Sequence, residues 1–477
     1  MYRATCLRSL KKQETLMTIY ALSSGPGRAG IAVIRISGRA SRKTLYALCN
    51  GRLPAPRVSS FRRLRHPTSR EMLDEAMVLW LPGPANFTGE DMAELYVHGG
   101  RAVVTAVMNA LADVGLRLAE PGEFTRRAFG NGKLDLTEAE GLADLINADT
   151  EIQRRQALAQ HSGAMRARYE KWWRTLLKAM AYVEASLDFS DEADIADGAF
   201  KEAVPEARSL AAELERALAD GRRGEILREG ISVAIVGEPN VGKSSLLNAL
   251  AGREAAIVYD EPGTTRDVIE VSLDLDGYPF VLRDTAGIRE AASPVEQEGV
   301  RRALAAAEAA DVVLAMVDGS CGDVGAVPAE GEAGGAPLRG SIAGAAITPS
   351  SGVKLLVVNK VDLAPPPAPG SFGPEAIYIS AKTCLGLDAL KAALVRFASE
   401  SYGSGEAPTI TRVRHRQEIG RARAALVAFL DGAEAGEAPE LAAEHLREAA
   451  DALGRLTGRL DVEDVLGQIF GEFCVGK

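Results

Sequence analysis

Between Thr18 and Lys133 the apolar positions change period more than once. GIAVIRIS, Gly30 to Ser37, is a β-branched run of strand length, whereas Val104, Val107, Met108 and Leu111 recur at the spacing of one helix face. Strands and helices sharing one short stretch predict an α+β domain over residues 17–135. From Leu136 the helical period takes over. Thr137 and Glu140 have the spacing of a capping box, Leu142, Leu145 and Ile146 follow, and Trp173, Leu176, Leu177 and Met180 extend the pattern, so residues 136–224 read as the first part of a helical domain.

Between Ile231 and Lys382 five short runs, ISVAIVG, PFVLRDTAG, DVVLAMVDG, KLLVVNK and AIYISAK, are apolar at nearly every position and alternate with helical segments. Such strands are buried on both faces, which predicts a doubly wound, mostly parallel sheet covered by helices over residues 225–400. Residues 319–352 interrupt it with nine glycines in 34 residues, several prolines and little apolar bulk, as expected of a low-complexity, disordered insertion. After Thr409 the pattern is helical again, and Leu466, Ile469, Phe470 and Phe473 share a stripe. The segment 401–477 is a thin basis for a core of its own; joined to 136–224 it makes a bundle into which the α/β domain is inserted. Residues 1–16, ahead of a second methionine at Met17, have four cations and no apolar period and read as a disordered extension.

Composition narrows the class. With 477 residues, 47% apolar and 25% charged, the chain reads as a folded, soluble protein of several domains. No apolar stretch approaches the roughly 20 residues a bilayer requires, so no membrane association and a cytoplasmic location are expected. The five scattered cysteines contain no C-x-x-C pair, which excludes a disulfide framework and a thiolate zinc site. The net charge of −10 excludes a polycationic nucleic-acid binder and confines any RNA contact to a local basic patch.

Gly237 to Ser245, GEPNVGKSS, follows the strand ISVAIVG and precedes the helical run LLNALAG, the context that G-x-x-x-x-G-K-[ST] requires. Main-chain N–H groups from Asn240, Val241 and Gly242 to Ser245 would close around phosphates, Lys243 would neutralise the β and γ oxygens, and Ser244 would hold Mg²⁺. Asp284, Thr285, Ala286 and Gly287 end the next buried strand, offering a carboxylate toward Mg²⁺ and a glycine at the γ-phosphate. Asn359, Lys360 and Asp362 choose the base: the Asp362 carboxylate accepts from both N1–H and the 2-amine of guanine, whereas adenine would leave it unpaired at about 1–3 kcal/mol or more. Ser380, Ala381 and Lys382 complete the base pocket. In this order the four stretches resemble those of the translation-factor-related GTPases. Ile288 stands where many small GTPases have a water-orienting glutamine, and it cannot hydrogen-bond.

A closer resemblance covers residues 17–477: the tRNA-modification GTPases called MnmE or TrmE, found in bacteria and organelles. It rests on Asn240 in the P-loop, DEPGTTRD (Asp260 to Asp267), DTAGIRE with Glu296 downstream, GPANFTGEDMAELYVHGG, PGEFTRRAFGNGKLDL and the final Phe473-Cys474-Val475-Gly476-Lys477. The resemblance implies a folate-binding-like first domain that forms a constitutive homodimer. It also implies GTPase domains activated by K⁺ and by their own dimerisation. Asn240, Tyr259, Glu261 and Thr264 would surround K⁺ and Ser244 with Thr265 would hold Mg²⁺, while Tyr259, Asp260, Glu261, Pro262, Gly263, Thr264 and Thr265 would lie along the nucleotide. Tyr259 departs from the small hydroxyl residue expected there, which weakens that ligand unless its backbone carbonyl serves instead. Glu296 would position water, and Arg35, Glu94, Lys133 and Lys477 would bind 5-formyl- or 5,10-methylene-tetrahydrofolate, with Cys474 acting on the one-carbon unit. The implied function is modification of C5 of wobble uridine in tRNA, within a heterotetramer whose flavoprotein partner carries FAD and uses NADH. The alternative is a ribosome-assembly GTPase that binds RNA and modifies nothing.

Overall fold

The computed structural model describes residues 17–25, 27–189, 193–220, 222–253, 270–284, 307–320, 352–363, 375–403, 408–459, 463–471 and 473–477. The expected extension at 1–16 and all but the ends of the expected insertion lie outside these residues.

The chain opens with β1 (Ile19–Leu22), β2 (Ala29–Ser37), α1 (Ser41–Leu48), β3 (Ser60–Arg65), β4 (Met72–Leu81), β5 (Met92–Gly99), α2 (Arg101–Asp113), β6 (Arg117–Leu118) and α3 (Glu123–Gly130). The strands form one six-stranded sheet in the order β3-β4-β5-β2-β1-β6, antiparallel apart from the β1/β6 pair. Period-two alternation sends Ile34, Ile36, Leu95 and Val97 into the core beneath α1 and α2, and sends Arg35, Glu94 and Tyr96 to the opposite face. Arg127 of α3, 4% exposed, ties that face together: it donates to Glu90 Oε2, Glu123 Oε1 and the Met17 carbonyl, each at 2.9 Å.

Five helices follow, α4 (Leu136–Ile146), α5 (Glu151–His161), α6 (Ala164–Asp188), α7 (Ala193–Ala219) and α8 (Arg223–Glu229). The capping box of α4 sits two residues before the expected Thr137/Glu140 pair. Asp135 Oδ1 accepts the Glu138 N–H at 2.8 Å and Glu138 Oε2 accepts the Asp135 N–H at 2.7 Å, while Thr137 and Glu140 are buried. The buried face of α4 also differs from the expected one. Ala139 and Ala143 are buried with Ile469, Phe470 and Phe473, Leu142 is partly buried beside them, and Ile146, the last residue of the helix, is 37% exposed; on another side Gly141 lies so close to the main chain at His161 that a Cβ there would be 2.5 Å from its nitrogen. In α6 the buried stripe runs through Tyr169, Trp172, Leu176, Ala179 and Val183, leaving Leu177 45% exposed, one position off the register expected from Trp173.

The second sheet comprises β7 (Ile231–Gly237), β8 (Glu270–Leu275), β9 (Tyr278–Asp284), β10 (Val312–Asp318), β11 (Val353–Asn359) and β12 (Ile377–Tyr378), with α9 (Lys243–Arg253) after β7 and α10 (Leu387–Tyr402) after β12. Its order, β12-β11-β10-β7-β9-β8, is parallel throughout except at the β8/β9 edge. This is the expected doubly wound α/β sheet. α11 (Val413–Ala435), α12 (Pro439–Thr457) and α13 (Glu463–Gly471) close the chain; α12 packs along α6, and Ile469, Phe470 and Phe473 bury against Leu136 and Ala139. The chain resolves into two compact units, one of Met1–Ala143, Gln160–Leu210 and Arg421–Lys477, the other of Asp144–Ala159 and Ala211–Gly420.

Burial pushes the Glu123 carboxyl up, but hydrogen bonds from the Glu120 N–H, Arg127 and Arg117 outweigh it and hold its pKa below the usual value. The stability it contributes is therefore complete above the ordinary carboxylate range and disappears as pH falls through its depressed value. Arg127→Leu should destabilise the protein by about 3 kcal/mol, because it strips a cation from a buried carboxylate. The Arg127→Leu/Glu123→Gln double variant should unfold at a higher temperature than that single variant, as thermal denaturation at neutral pH will test.

Candidate functional site

The nucleotide motifs converge at the carboxyl ends of the parallel strands, where doubly wound sheets bind ligands. β7 ends at Gly237 and α9 begins at Lys243, so the intervening turn presents its N–H groups at a helix N-terminus. The turn needs left-handed backbone at Asn240 (φ 63°) and Gly242 (φ 105°). At Gly242 the requirement is also spatial, since a Cβ there would lie 2.3 Å from Asn359 Nδ2. Lys243 Nζ arches back over the turn and donates to the carbonyls of Gly237 and Glu238, both at 2.9 Å.

Asn359, 2% exposed at the end of β11, joins the two halves of the pocket. Its Nδ2 donates to the Val241 carbonyl at 2.7 Å and its Oδ1 accepts the Ala381 N–H at 2.9 Å, so one amide side chain fixes the phosphate turn against the base loop. Ser380 Oγ donates to Asp362 Oδ1 at 2.6 Å and orients the carboxylate expected to read the base. Lys360, at φ 65°, donates to Asp318 Oδ2 at 2.6 Å across the ends of β11 and β10. Burial pushes the Asp318 carboxyl up, but hydrogen bonds from Lys360 and Ser320 prevail and lower its pKa. The sequence motifs gave no role to Asp318; its position as the last residue of DVVLAMVD, one strand from Lys360, is the signal that points to it.

Ser244 and Ser245 are exposed at the start of α9, and the main chain of Asp284 ends β9 beside Ile235. A serine hydroxyl at the start of a helix is an oxygen donor of the kind a hard divalent cation takes. Tyr259 to Thr265, Thr285 to Gly287 and Glu296 lie outside the described residues, so Asn240 alone of the four residues expected around K⁺ falls within them.

The first sheet carries a second constellation. Arg35 of β2 and Glu94 of β5 are direct cross-strand partners, paired at 3.1 Å with side chains 19% and 13% exposed. The Arg35 guanidinium lies 5.6 Å from the Phe87 ring centroid and 5.8 Å from that of Phe124, within cation–π range. Tyr96 donates to Glu94 Oε2 at 2.6 Å; this bond, with burial, pushes the phenol up to about 12. Phe87, Tyr96 and Phe124 were not among the expected residues, although Tyr96 could have been found from its i+2 position on the strand of Glu94. The segment 473–477 runs against the same region. Val475 bridges Pro121, the Lys477 carbonyl accepts the Phe124 N–H at 3.2 Å, and Ser23 Oγ donates to the Gly476 carbonyl at 2.9 Å. Gly476, at φ 97°, is required there because a Cβ would meet the Leu22 carbonyl at 2.2 Å. Cys474 is an exposed free thiol in this segment. Lys133 caps the end of α3 through its N–H to the Ala128 carbonyl, and its side chain packs beside Gly89, two residues from Phe87.

Asn359→Ala should weaken guanine-nucleotide binding by about 2 kcal/mol, some thirty-fold, since it strands a buried carbonyl and a buried N–H. The loss should be equal for GTP and XTP, because Asn359 acts on the phosphate turn. Asp362→Asn should instead invert the base preference, its amide donating to the C2 carbonyl of xanthine. Titration with fluorescent GTP and XTP analogues separates the two.

Comparison with known proteins adds to this geometry. The sequence pattern of the GTP-binding protein TrmE N-terminus matches residues 18–133, and that of the MnmE helical domain matches residues 136–474. The protein described as tRNA modification GTPase MnmE from Parvibaculum lavamentivorans is 52% identical over 96% of this chain and 100% of its own length. Proteins of the same description from Paramagnetospirillum magneticum and Caulobacter vibrioides are 50% and 48% identical, each over 96% of this chain and 99% of theirs.

Proposed function

Because the chain belongs to the MnmE family of tRNA modification GTPases, we propose that it hydrolyses GTP and couples hydrolysis to modification of tRNA, at C5 of the wobble uridine, together with an FAD-dependent partner that uses NADH. The observation that carries the GTPase half is the Asn359 bridge, which brings the phosphate turn and the Asp362/Ser380 base pocket onto one strand end. The modified group is aminomethyl or carboxymethylaminomethyl, its methylene carbon drawn from a tetrahydrofolate.

Ser244 and Thr265 would hold Mg²⁺, and Asn240, Tyr259, Glu261 and Thr264 would surround K⁺, oxygen donors throughout, as hard cations require. When bound, K⁺ would supply positive charge at the phosphates, the contribution an arginine finger makes elsewhere, worth about 10³–10⁵ in rate. Lys243 neutralises the β and γ oxygens, and Glu296 positions the attacking water in place of the glutamine that Ile288 replaces.

At the first sheet Glu94, oriented by Tyr96 and by the Arg35 paired with it, accepts from the donor edge of the pterin, while Lys133 and Lys477 meet the carboxylates of the glutamate tail. Cys474 supplies the thiol that acts on the one-carbon unit. The outer face of the same sheet supports a homodimer. Across β2, β5, β4 and β3, Val33, Tyr96, Met77 and Phe61 form one cross-strand row, with Met77 40% and Phe61 57% exposed. A second copy would cover that row.

Turnover should be several-fold to many-fold faster in KCl than in NaCl of equal ionic strength. Glu296→Ala should keep nucleotide affinity within about two-fold while lowering kcat by about 10² or more. Equal rates in the two salts would remove K⁺ from the mechanism. Separately, 5-formyl-tetrahydrofolate should bind saturably and Arg35→Ala should weaken it at least ten-fold; absence of saturable binding would favour the ribosome-assembly reading.

A further inference from the structure

The net charge of −10 is unevenly spread. Residues 15–70 contain eleven Arg and Lys and no Asp or Glu, leaving 44 cations against 65 anions for the other residues. Five of these eleven lie on α1, on the chain that follows it and on the neighbouring edge of the sheet. Arg42 and Lys43 are exposed on α1, and Tyr46, one turn beyond Arg42, is 52% exposed. Past the helix end, Asn50 Oδ1 accepts from Arg70 Nη1 at 3.5 Å, and Arg52 follows, exposed.

β3 brings Arg62 to the same side of the sheet. Leu64, two positions on, packs in one core with Leu45 and Leu48 of α1, so Arg62 shares the face that α1 covers. The Cys49 thiol at the helix end, pushed up to about 11 by burial, feels the opposing pull of the Arg62 guanidinium. Arg63 points the other way and is neutralised by Glu75 at 2.8 Å. Arg42, Lys43, Arg52, Arg62 and Arg70 form no ion pair among the described residues.

Cations along an edge strand also guard against edge-to-edge pairing, and β3 is an edge of its sheet. Edge protection does not account for Arg42, Lys43 and Arg52, which lie off the strand, nor for an exposed tyrosine among them. Unpaired guanidinium forks beside an aromatic ring are the chemistry that holds phosphates and stacks on an unpaired base.

We infer that the face formed by Arg42, Lys43, Tyr46, Arg52, Arg62 and Arg70 is the surface on which this protein grips the sugar-phosphate backbone of its tRNA. The inference rests on the tRNA-modification reading and adds the place of contact. Backbone contacts position the RNA without reading its sequence, and the acidic remainder of the chain repels RNA from other surfaces.

Binding of a fluorescent tRNA transcript to the full-length protein, followed by anisotropy from about 50 to 200 mM salt, tests it. The Arg42→Gln/Lys43→Gln/Arg52→Gln/Arg70→Gln variant should lose at least about ten-fold in affinity, and its plot of log affinity against log salt should be shallower by about two to three. Arg42→Gln/Lys43→Gln alone, on the open face of α1, should lose about three-fold or more and serves if the fourfold variant melts early. The control Lys201→Gln/Lys354→Gln should stay within two-fold of wild type. A fourfold variant binding tRNA within two-fold of a saturably binding wild type overturns the surface and spares the function. A wild type that binds no tRNA overturns both. Wild-type binding to phosphatidylserine vesicles but not to tRNA, lost in the variant, makes the patch a membrane site and overturns the inference as well.

Discussion

The nucleotide pocket depends on one buried amide. Parallel strands covered on both faces must be apolar along their length, so the polar chemistry of such a sheet is confined to its strand ends. There Asn359 satisfies both of its hydrogen-bonding groups on main chain, one in the phosphate turn and one in the base loop. A buried amide that met only one partner would be costly, so the two loops hold each other in place. Gly242 follows from the same contact, because no side chain fits between that turn and the Asn359 amide. Lys243, Asp362 and Ser380 act from loops whose positions this bridge decides.

The first sheet solves a different problem. An antiparallel sheet with helices on one side has a second face free for chemistry, and β2 and β5 use it to oppose Arg35 and Glu94. The pair is accommodated while largely buried because each group has further partners: Phe87 and Phe124 flank the guanidinium, and Tyr96 donates to the carboxylate. Arg127 and Glu123 hold α3 and the loop through Glu90 against the sheet, which fixes both aromatic rings. The last five residues dock on the same helix start, so an exposed cysteine far along the sequence belongs to a region built mostly by the first 130 residues. The row from Val33 to Phe61 continues this face outward, exposed at Met77 and Phe61, while Arg62 of β3 lies on the other side, the one that α1 covers.

The apolar runs determined the second sheet, since a strand buried on both faces writes itself as an unbroken hydrophobic stretch. ISVAIVG, DVVLAMVDG and KLLVVNK therefore appear as β7, β10 and β11. β8 lies outside those unbroken runs, since EVSLDL at an edge alternates the buried Val271, Leu273 and Leu275 with polar residues, the period-two pattern of a strand buried on one face. The loop motifs were legible because phosphate and base contacts demand particular residue types at fixed spacing after a strand. What only the tertiary structure decided were relations between distant residues. The buried side of α4 is set by the Ile469, Phe470 and Phe473 that pack on it, the α6 stripe by its packing on α12, and the company of Arg35 by strand register and by the α3 residue Phe124 that the fold brings against it. A sequence pattern records which positions shun water, but not which of several apolar or charged neighbours a folded chain will bring against them.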